Sequence, residues 1–264
     1  MKHDQTLAAE VADLLKDVAE RIVIPRFGTL TADQIQEKRP GDLVTIADHQ
    51  AEDAIAQALS RLTPQALIVG EEAAFANPAI LDGLAQAEQA WCIDPIDGTK
   101  NFTRHSPDFA IMVAHMDNAV VTQAWIYQPI HATMYHAEKG AGVRRNGQPI
   151  ARHTDRTRLC GSAYRKIDPV PDQVDLKRSW RSCGIDYPKL LEGEIDFVLY
   201  RDGKPWDHLP GSLMVAEMGG RCAMLSGESY RPGSMQGPLS VIPGDRWQEV
   251  RTTLMGPAVL PSHS

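Results

Sequence analysis

Trp91-Cys92-Ile93-Asp94-Pro95-Ile96-Asp97-Gly98-Thr99-Lys100-Asn101-Phe102 has the form of a strand that stops at a group of oxygen ligands. Trp91, Cys92 and Ile93 read as a buried strand end, and Pro95 cannot donate a ladder hydrogen bond, so the sheet is expected to finish there. Asp94 and Asp97 then sit three positions apart on a stiff turn, where Gly98 allows close backbone approach and Thr99 adds a hydroxyl. An oxygen-only donor set suits a hard cation. Mg²⁺ takes carboxylates, carbonyls and waters, and a carboxylate at a rigid strand end can bridge two ions about 3.5–4 Å apart, the spacing of two-metal phosphoryl chemistry.

Toward the N-terminus, Leu7, Val11, Leu14, Leu15, Val18 and Ile22 recur at helical spacing and predict a packing helix that ends near Pro25. Residues 29–39 are polar, and Pro40-Gly41 marks a turn before the next helix, with Lys38, Arg39 and Asp42 placed to form a flap. Thr45 caps that helix, whose buried face comprises Ile46, Ala54, Ile55, Ala58, Leu59 and Leu62; Asp48 is an acid of its first turn. Residues 66–69 read as a short buried strand that delivers Glu71 and Glu72 at its edge. On extended backbone only one of these two acids points to a given face.

Toward the C-terminus, 109–115 and 120–127 form antiparallel strands joined by a short polar turn, and 133–136 forms a third. The charged, apolar-poor stretch 151–157 is the expected boundary, dividing an N-terminal α+β domain (1–150) from a C-terminal α/β domain (151–264). In the second part, 159–163, 179–183 and 195–200 read as strands and 185–191 as a short helix at Pro188. Trp206-Asp207 opens a helix carrying Leu209, Leu213, Met214, Ala216 and Met218, with Asp207 at the N-cap and Gly219-Gly220 at the end. A strand at 239–242 and a helix at 247–254 close the fold, and the tail 257–264 is expected to fray.

Composition is that of an ordinary globular protein: 264 residues, 43% hydrophobic and 23% charged, enough for one large or two closely packed domains. A net charge of −7 gives no basic stripe for a nucleic-acid polymer, and no apolar run approaches a membrane span. An anionic substrate therefore needs cations in its pocket. Cys92, Cys160, Cys183 and Cys222 show no CxxC pairing and read as core thiols, which points to a reducing cytoplasm. His131 and His136 lack zinc-enzyme spacing to an acid and read as ordinary histidines.

Asp94-Pro95-Ile96-Asp97-Gly98-Thr99 resembles the signature of the inositol monophosphatase superfamily of Mg²⁺-dependent, lithium-sensitive phosphomonoesterases. Further blocks appear in the family's order: Gly41-Asp42-Leu43-Val44-Thr45 with Asp48, Gly70-Glu71-Glu72, and Trp206-Asp207 followed by Glu217-Met218-Gly219-Gly220. The resemblance spans residues 41–220. It implies a layered αβαβα sugar-phosphatase fold with an antiparallel N-terminal sheet and a mixed C-terminal sheet, and a homodimer. It also implies two or three Mg²⁺ ions, with Mn²⁺ a possible substitute, on Glu71, Asp94, the Ile96 carbonyl, Asp97 and Asp207. In that scheme Glu71 and Thr99 orient a metal-activated water for in-line attack, Asp48 orients Thr99, and the amides of Gly98 and Thr99 hold the phosphate.

The substrate wall departs from the family pattern. Tyr200 stands where inositol phosphatases carry an acid that contacts substrate hydroxyls, Arg201 follows it, and Trp206-Asp207-His208-Leu209-Pro210-Gly211 alters the usual motif. Tyr200, Arg201 and Asp207 are therefore the expected substrate contacts. Hydrolysis of an inositol 1-phosphate-like monoester is the leading expectation. A 3′(2′),5′-bisphosphate nucleotidase, with Tyr200 and Arg201 against base or second phosphate, is an alternative, as are histidinol-phosphate and fructose-bisphosphate phosphatases. A non-catalytic, metal-stabilised dimeric interaction protein is the reading from another class.

Overall fold

A computed structural model describes residues 2–255 other than 155, 165, 168, 169 and 235. The tail at 257–264 lies outside the described residues. Helix α1 (Lys2–Val18) loosens into a wider turn at Ala19–Val23 and a 3₁₀ turn at Ile24–Arg26, ending at Pro25 much as the apolar stripe predicts. The polar stretch that follows contains a strand that its composition did not predict. Strands β1 (Ile35–Arg39) and β2 (Asp42–Thr45) pair as an antiparallel hairpin around Gly41, whose φ is +78°. Pro40-Gly41 thus leads into a strand, and the helix starts only after Thr45.

Helix α2 (Ile46–Leu62) is followed by β3 (Leu67–Gly70), α3 (Glu71–Ala76), β4 (Gln89–Asp97), α4 (Thr99–Thr103), β5 (Ala110–Asp117), β6 (Val120–Gln128), β7 (Thr133–Glu138), β8 (Gly142–Arg145) and β9 (Gln148–Pro149). Strands β3 to β9 make a seven-stranded sheet in chain order, antiparallel except where β3 runs parallel to β4. Glu71 and Glu72 open a helix rather than continue a strand, which removes the alternating geometry that would have separated them.

Strand β4 does not stop at Pro95 as expected. Asp94 pairs with Met112 and Asp97 with Ala110, so three steps along β4 match two along β5. The extra residue makes a bulge in which Pro95 forfeits no ladder bond, and it lets the side chains of residues three apart share one side of the sheet. That local irregularity is what gathers Asp94 and Asp97.

The second half contains β10 (Leu159–Ala163), β11 (Val174–Lys177), α5 (Cys183–Leu191), β12 (Phe197–Leu199), α6 (Pro205–Glu217), β13 (Arg221–Ala223), β14 (Leu239–Val241) and α7 (Trp247–Met255). Its five-stranded sheet has the order β11-β10-β12-β14-β13, parallel among the first three and antiparallel after. The strand expected at 179–183 is absent: Ser182 caps α5, and the edge strand is 174–177.

Apolar faces then stack in five layers. Ile111 and Val113 on β5, with Trp91 and Trp125, pack against α1 and α2 through Leu15, Val18, Ile55 and Leu59. Ala110 and Met112, the alternate residues of β5, face Tyr187 and Leu190 of α5 and Met214 of α6. Helices α5 and α6 carry the small sheet on their other side through Val198 and Ile242, and Trp247 and Val250 of α7 cover its outer face through Phe197 and Val241. The two helices cross closely because Gly211 has no side chain: a Cβ there would meet the Tyr187 ring at 2.2 Å.

Candidate active site

Residues from both halves line one cavity of about 180 Å³, among them Glu71, Asp94, Ile96, Asp97, Gly98, Thr99, Tyr164, Cys183 and Asp207. Asp94 and Asp97 come from the β4 bulge, and Asp207 from the third position of α6, after Lys204 at the N-cap and Pro205. Asp207 is therefore not the N-cap expected from sequence. The three aspartates bring carboxylate oxygens within 4.8 Å of one another.

Burial pushes the Asp94 carboxyl well above the usual range, and Glu71, Asp97 and Asp207 add to that while Lys204 opposes it. Burial also raises Asp207, to about 8, against the pull of Lys204. Asp97 rises less, to about 6, because its Oδ2 accepts hydrogen bonds from the Ser182 hydroxyl and, at 2.7 Å, from the Gly184 amide. These are buried acids crowded without enough protons or cations among the protein's own groups. The set fits a hard divalent ion: the donors are oxygens, they converge from rigid elements, and a cation would relieve the repulsion that lifts their pKa values.

Glu71 shares the cavity but is held by two ammonium groups. Its Oε1 lies 3.1 Å from Lys38 Nζ and 3.6 Å from Lys204 Nζ, and Lys38 also reaches Glu72 at 2.8 Å. Glu52 of α2 fixes α3 beneath them, its two oxygens accepting the Glu72 and Ala73 amides at 2.8 Å each. Asp48 serves the helix and the site together. Its Oδ2 accepts from Thr45 N at 2.8 Å and Thr45 Oγ1 at 2.6 Å, while Thr99 Oγ1 donates toward its Oδ1 at 3.2 Å or the Ile96 carbonyl at 3.0 Å. Burial raises Asp48 to about 7, the Thr45 hydrogen bonds holding it down. Gly98, at φ +87°, turns the chain into α4, so that Thr99 opens the helix at the cavity wall.

The family model for the inositol monophosphatase family matches residues 2–253. The chain belongs to the inositol monophosphatase family. Its curated relatives include an inositol-1-monophosphatase of Bacillus subtilis strain 168, 28% identical over 82% of this chain and 84% of the relative. Another is a putative Nus factor SuhB of Neisseria meningitidis serogroup A, 31% identical over 80% and 84%. An IMPase/NADP phosphatase solved with Mg²⁺ and phosphate shares the fold at a TM-score of 0.77 and 20% identity, covering 96% of this chain and 97% of that one. As an inositol monophosphatase family member, the chain is a phosphoric monoester hydrolase.

Within this cavity, the expected residues Asp94, Ile96, Asp97, Gly98, Thr99, Glu71 and Asp207 come together, with Asp48 hydrogen-bonded to Thr99. Two expectations fail. Tyr200 is 1% exposed, packed between the rings of Tyr164 (5.3 Å), Tyr187 (5.1 Å) and His208 (4.6 Å), so it has no face left for a substrate. Arg201 is exposed, pairs with Asp202 at 3.1 Å and does not line the cavity. Arg181, Ser182 and Cys183, at the start of α5, line the cavity where Tyr200 and Arg201 do not. Lys204, Glu52 and Ser182 were missed. Lys204 had a visible signal, a cation three residues before Asp207; Glu52 and Ser182 had none, because their partners are distant in sequence.

Proposed function

We propose that this protein hydrolyses a small phosphate monoester, inositol 1-phosphate-like in size, with Mg²⁺ at the Asp94/Asp97/Asp207 cluster. One observation carries the reading: three buried carboxylates from two halves of the chain meet with their oxygens within 4.8 Å. In this scheme Glu71, Asp94, Asp97 and Asp207, with the Ile96 carbonyl, would hold two or three ions, Mn²⁺ being able to replace Mg²⁺, and residues 1–150 furnish every ligand except Asp207. Bound there, the ions supply Lewis acidity to the ester and to the attacking water.

The chain's own groups do the positioning. Thr99 lines the cavity, and Asp48 behind it orients the Thr99 hydroxyl by accepting its hydrogen bond. The Gly98 and Thr99 amides face incoming phosphate oxygens. Glu71 aligns the attacking water, and Lys204 beside it adds a fixed positive charge near the equatorial oxygens. The same reading takes the protein as a cytoplasmic homodimer, to be checked by light scattering and fractionation.

Asp94→Asn tests the centre. It should lower kcat on inositol 1-phosphate by roughly a hundredfold or more while the circular dichroism spectrum is unchanged. Full Mg²⁺-dependent turnover in that variant would remove the proposed centre. Mg²⁺ binding with no hydrolysis of any phosphate ester by the wild type would favour a non-catalytic role.

A further inference from the structure

A second trio of metal-ligating atoms lies beside the aspartates. Cys183 Sγ, a ring nitrogen of His208 and a carboxylate oxygen of Asp207 fall within 4.8 Å of one another, as the oxygens of Asp94, Asp97 and Asp207 do in the hard-ion set. Asp207 belongs to both. The two sets differ in chemistry: carboxylates suit Mg²⁺, whereas a thiolate and an imidazole select a borderline-soft ion such as Zn²⁺.

Each of the two added donors is held by its neighbours. Cys183 opens α5 between Ser182 and Gly184, which both donate to Asp97 Oδ2, the Gly184 amide at 2.7 Å. It lines the cavity, which gives an ion a way in, and its sulfur feels the charge of Asp207, Asp97, Asp186 and Asp94, a field that favours a cation. His208 is 1% exposed and clamped by the rings of Tyr200 at 4.6 Å and Tyr230 at 5.4 Å. Its Nε2 lies 2.6 Å from the Asp202 carbonyl, an oxygen that can only accept, so Nε2 carries the proton. In a buried, neutral ring Nδ1 then keeps the lone pair, and a tautomer fixed through a backbone carbonyl is the ordinary arrangement of a metal-binding histidine. Nδ1 meets the Tyr187 hydroxyl at 3.2 Å, the long end of the hydrogen-bond range, and that hydroxyl also faces Ser240, so it keeps a partner when the nitrogen turns to an ion.

We propose that Cys183, His208 and Asp207 form a second metal site, for one Zn²⁺-like ion with its fourth position open to the cavity, and that an ion bound there inhibits the phosphatase by holding Asp207 away from Mg²⁺. On binding, the sulfur–metal bond forms as the Cys183 S–H bond breaks, and the proton passes to water. The site stands on the geometry of its three donors. Its inhibitory effect rests on the phosphatase reading above.

Co²⁺ is the probe for the site, because a thiolate bound to it gives a near-ultraviolet charge-transfer band that carboxylates do not. Titrated into the protein, it should raise that band in the wild type and in Cys222→Ser but not in Cys183→Ser, and His208→Gln should need roughly tenfold or more Co²⁺ to reach the same band. Zn²⁺ titrated into the Mg²⁺-dependent hydrolysis of inositol 1-phosphate should inhibit the wild type at a concentration roughly tenfold or more below that needed for Cys183→Ser or His208→Gln, each compared with its own Zn²⁺-free rate. Added Mg²⁺ should relieve the inhibition. Absence of a Cys183-dependent band would remove the site, and equal Zn²⁺ inhibition of the wild type and Cys183→Ser would remove its hold on Asp207; either result overturns the proposal. If the folded protein hydrolyses no phosphate ester, the phosphatase reading fails, and the Co²⁺ band alone decides whether the site exists.

Discussion

Asp48 shows how one side chain can be read two ways and satisfy both. As the third residue of α2 it completes the capping box with Thr45, and its other oxygen supports Thr99 at the cavity wall. Helix geometry thereby sets the position of the Thr99 hydroxyl. His136 is a residue with no such second duty. It is stacked on Trp125 at 5.2 Å, its Nε2 has no partner, and burial, helped by Arg144, lowers it to about 4. A folded-state pKa below the unfolded value means that the unfolded chain takes up the proton first. Stability from this group is complete above about pH 6.5, and falls with pH until about 4, by up to about 3 kcal/mol. Urea titrations at pH 7 and pH 4.5 should therefore show a smaller acid loss in His136→Gln than in the wild type; identical losses would mean that the ring is already wetted. The aspartates were legible in sequence because they stand beside turn-forming residues. Glu52 and Ser182 were not, since each acts through a partner 20 or more positions away.

At the scale of elements, α3 is the least self-sufficient piece of the site. It has six residues, too few to be stable alone, and its first amides are satisfied by a carboxylate borrowed from α2. Gly70 makes room for that carboxylate: a Cβ there would lie 2.1 Å from Glu52 Cδ. Gly70→Ala should push Glu52 off the helix start, cost about 1–3 kcal/mol in urea unfolding and displace Glu71, weakening calorimetric Mg²⁺ binding. Unchanged stability and metal affinity would show that α3 is held by other contacts. The spacing of apolar residues revealed most strands and helices, because burial of alternate or every third to fourth side chain leaves its period in the sequence. The β4 bulge left no such trace. Pro95 signalled a broken ladder, but whether the strand ends or absorbs an extra residue depends on its partner β5, which a local reading does not contain.

Across the whole molecule, the order of layers follows from faces that need covering; the αβαβα stacking was legible through the family resemblance, and not from the periods of the separate elements. Ala110 and Met112 are small or pliant where α5 and α6 lie, while Ile111 and Val113 meet the outer helices. The assignment of each face needed both sheets in view. Because Asp207 rides on α6, and α6 touches both sheets, an ion shared by Asp207 and the β4 aspartates would tie the two halves of the chain together. Cargo for chemistry would then also be a fastener. Saturating Mg²⁺, at a hundred times its dissociation constant, should add about 2.7 kcal/mol to unfolding. The whole chain should melt later as a single unit, Trp91 and Trp125 together with Trp247, and Asp207→Ala should abolish the gain. Protection confined to the first half would mean that the ion never bridges the seam, and an enzyme starved of metal would lose its durability as well as its activity.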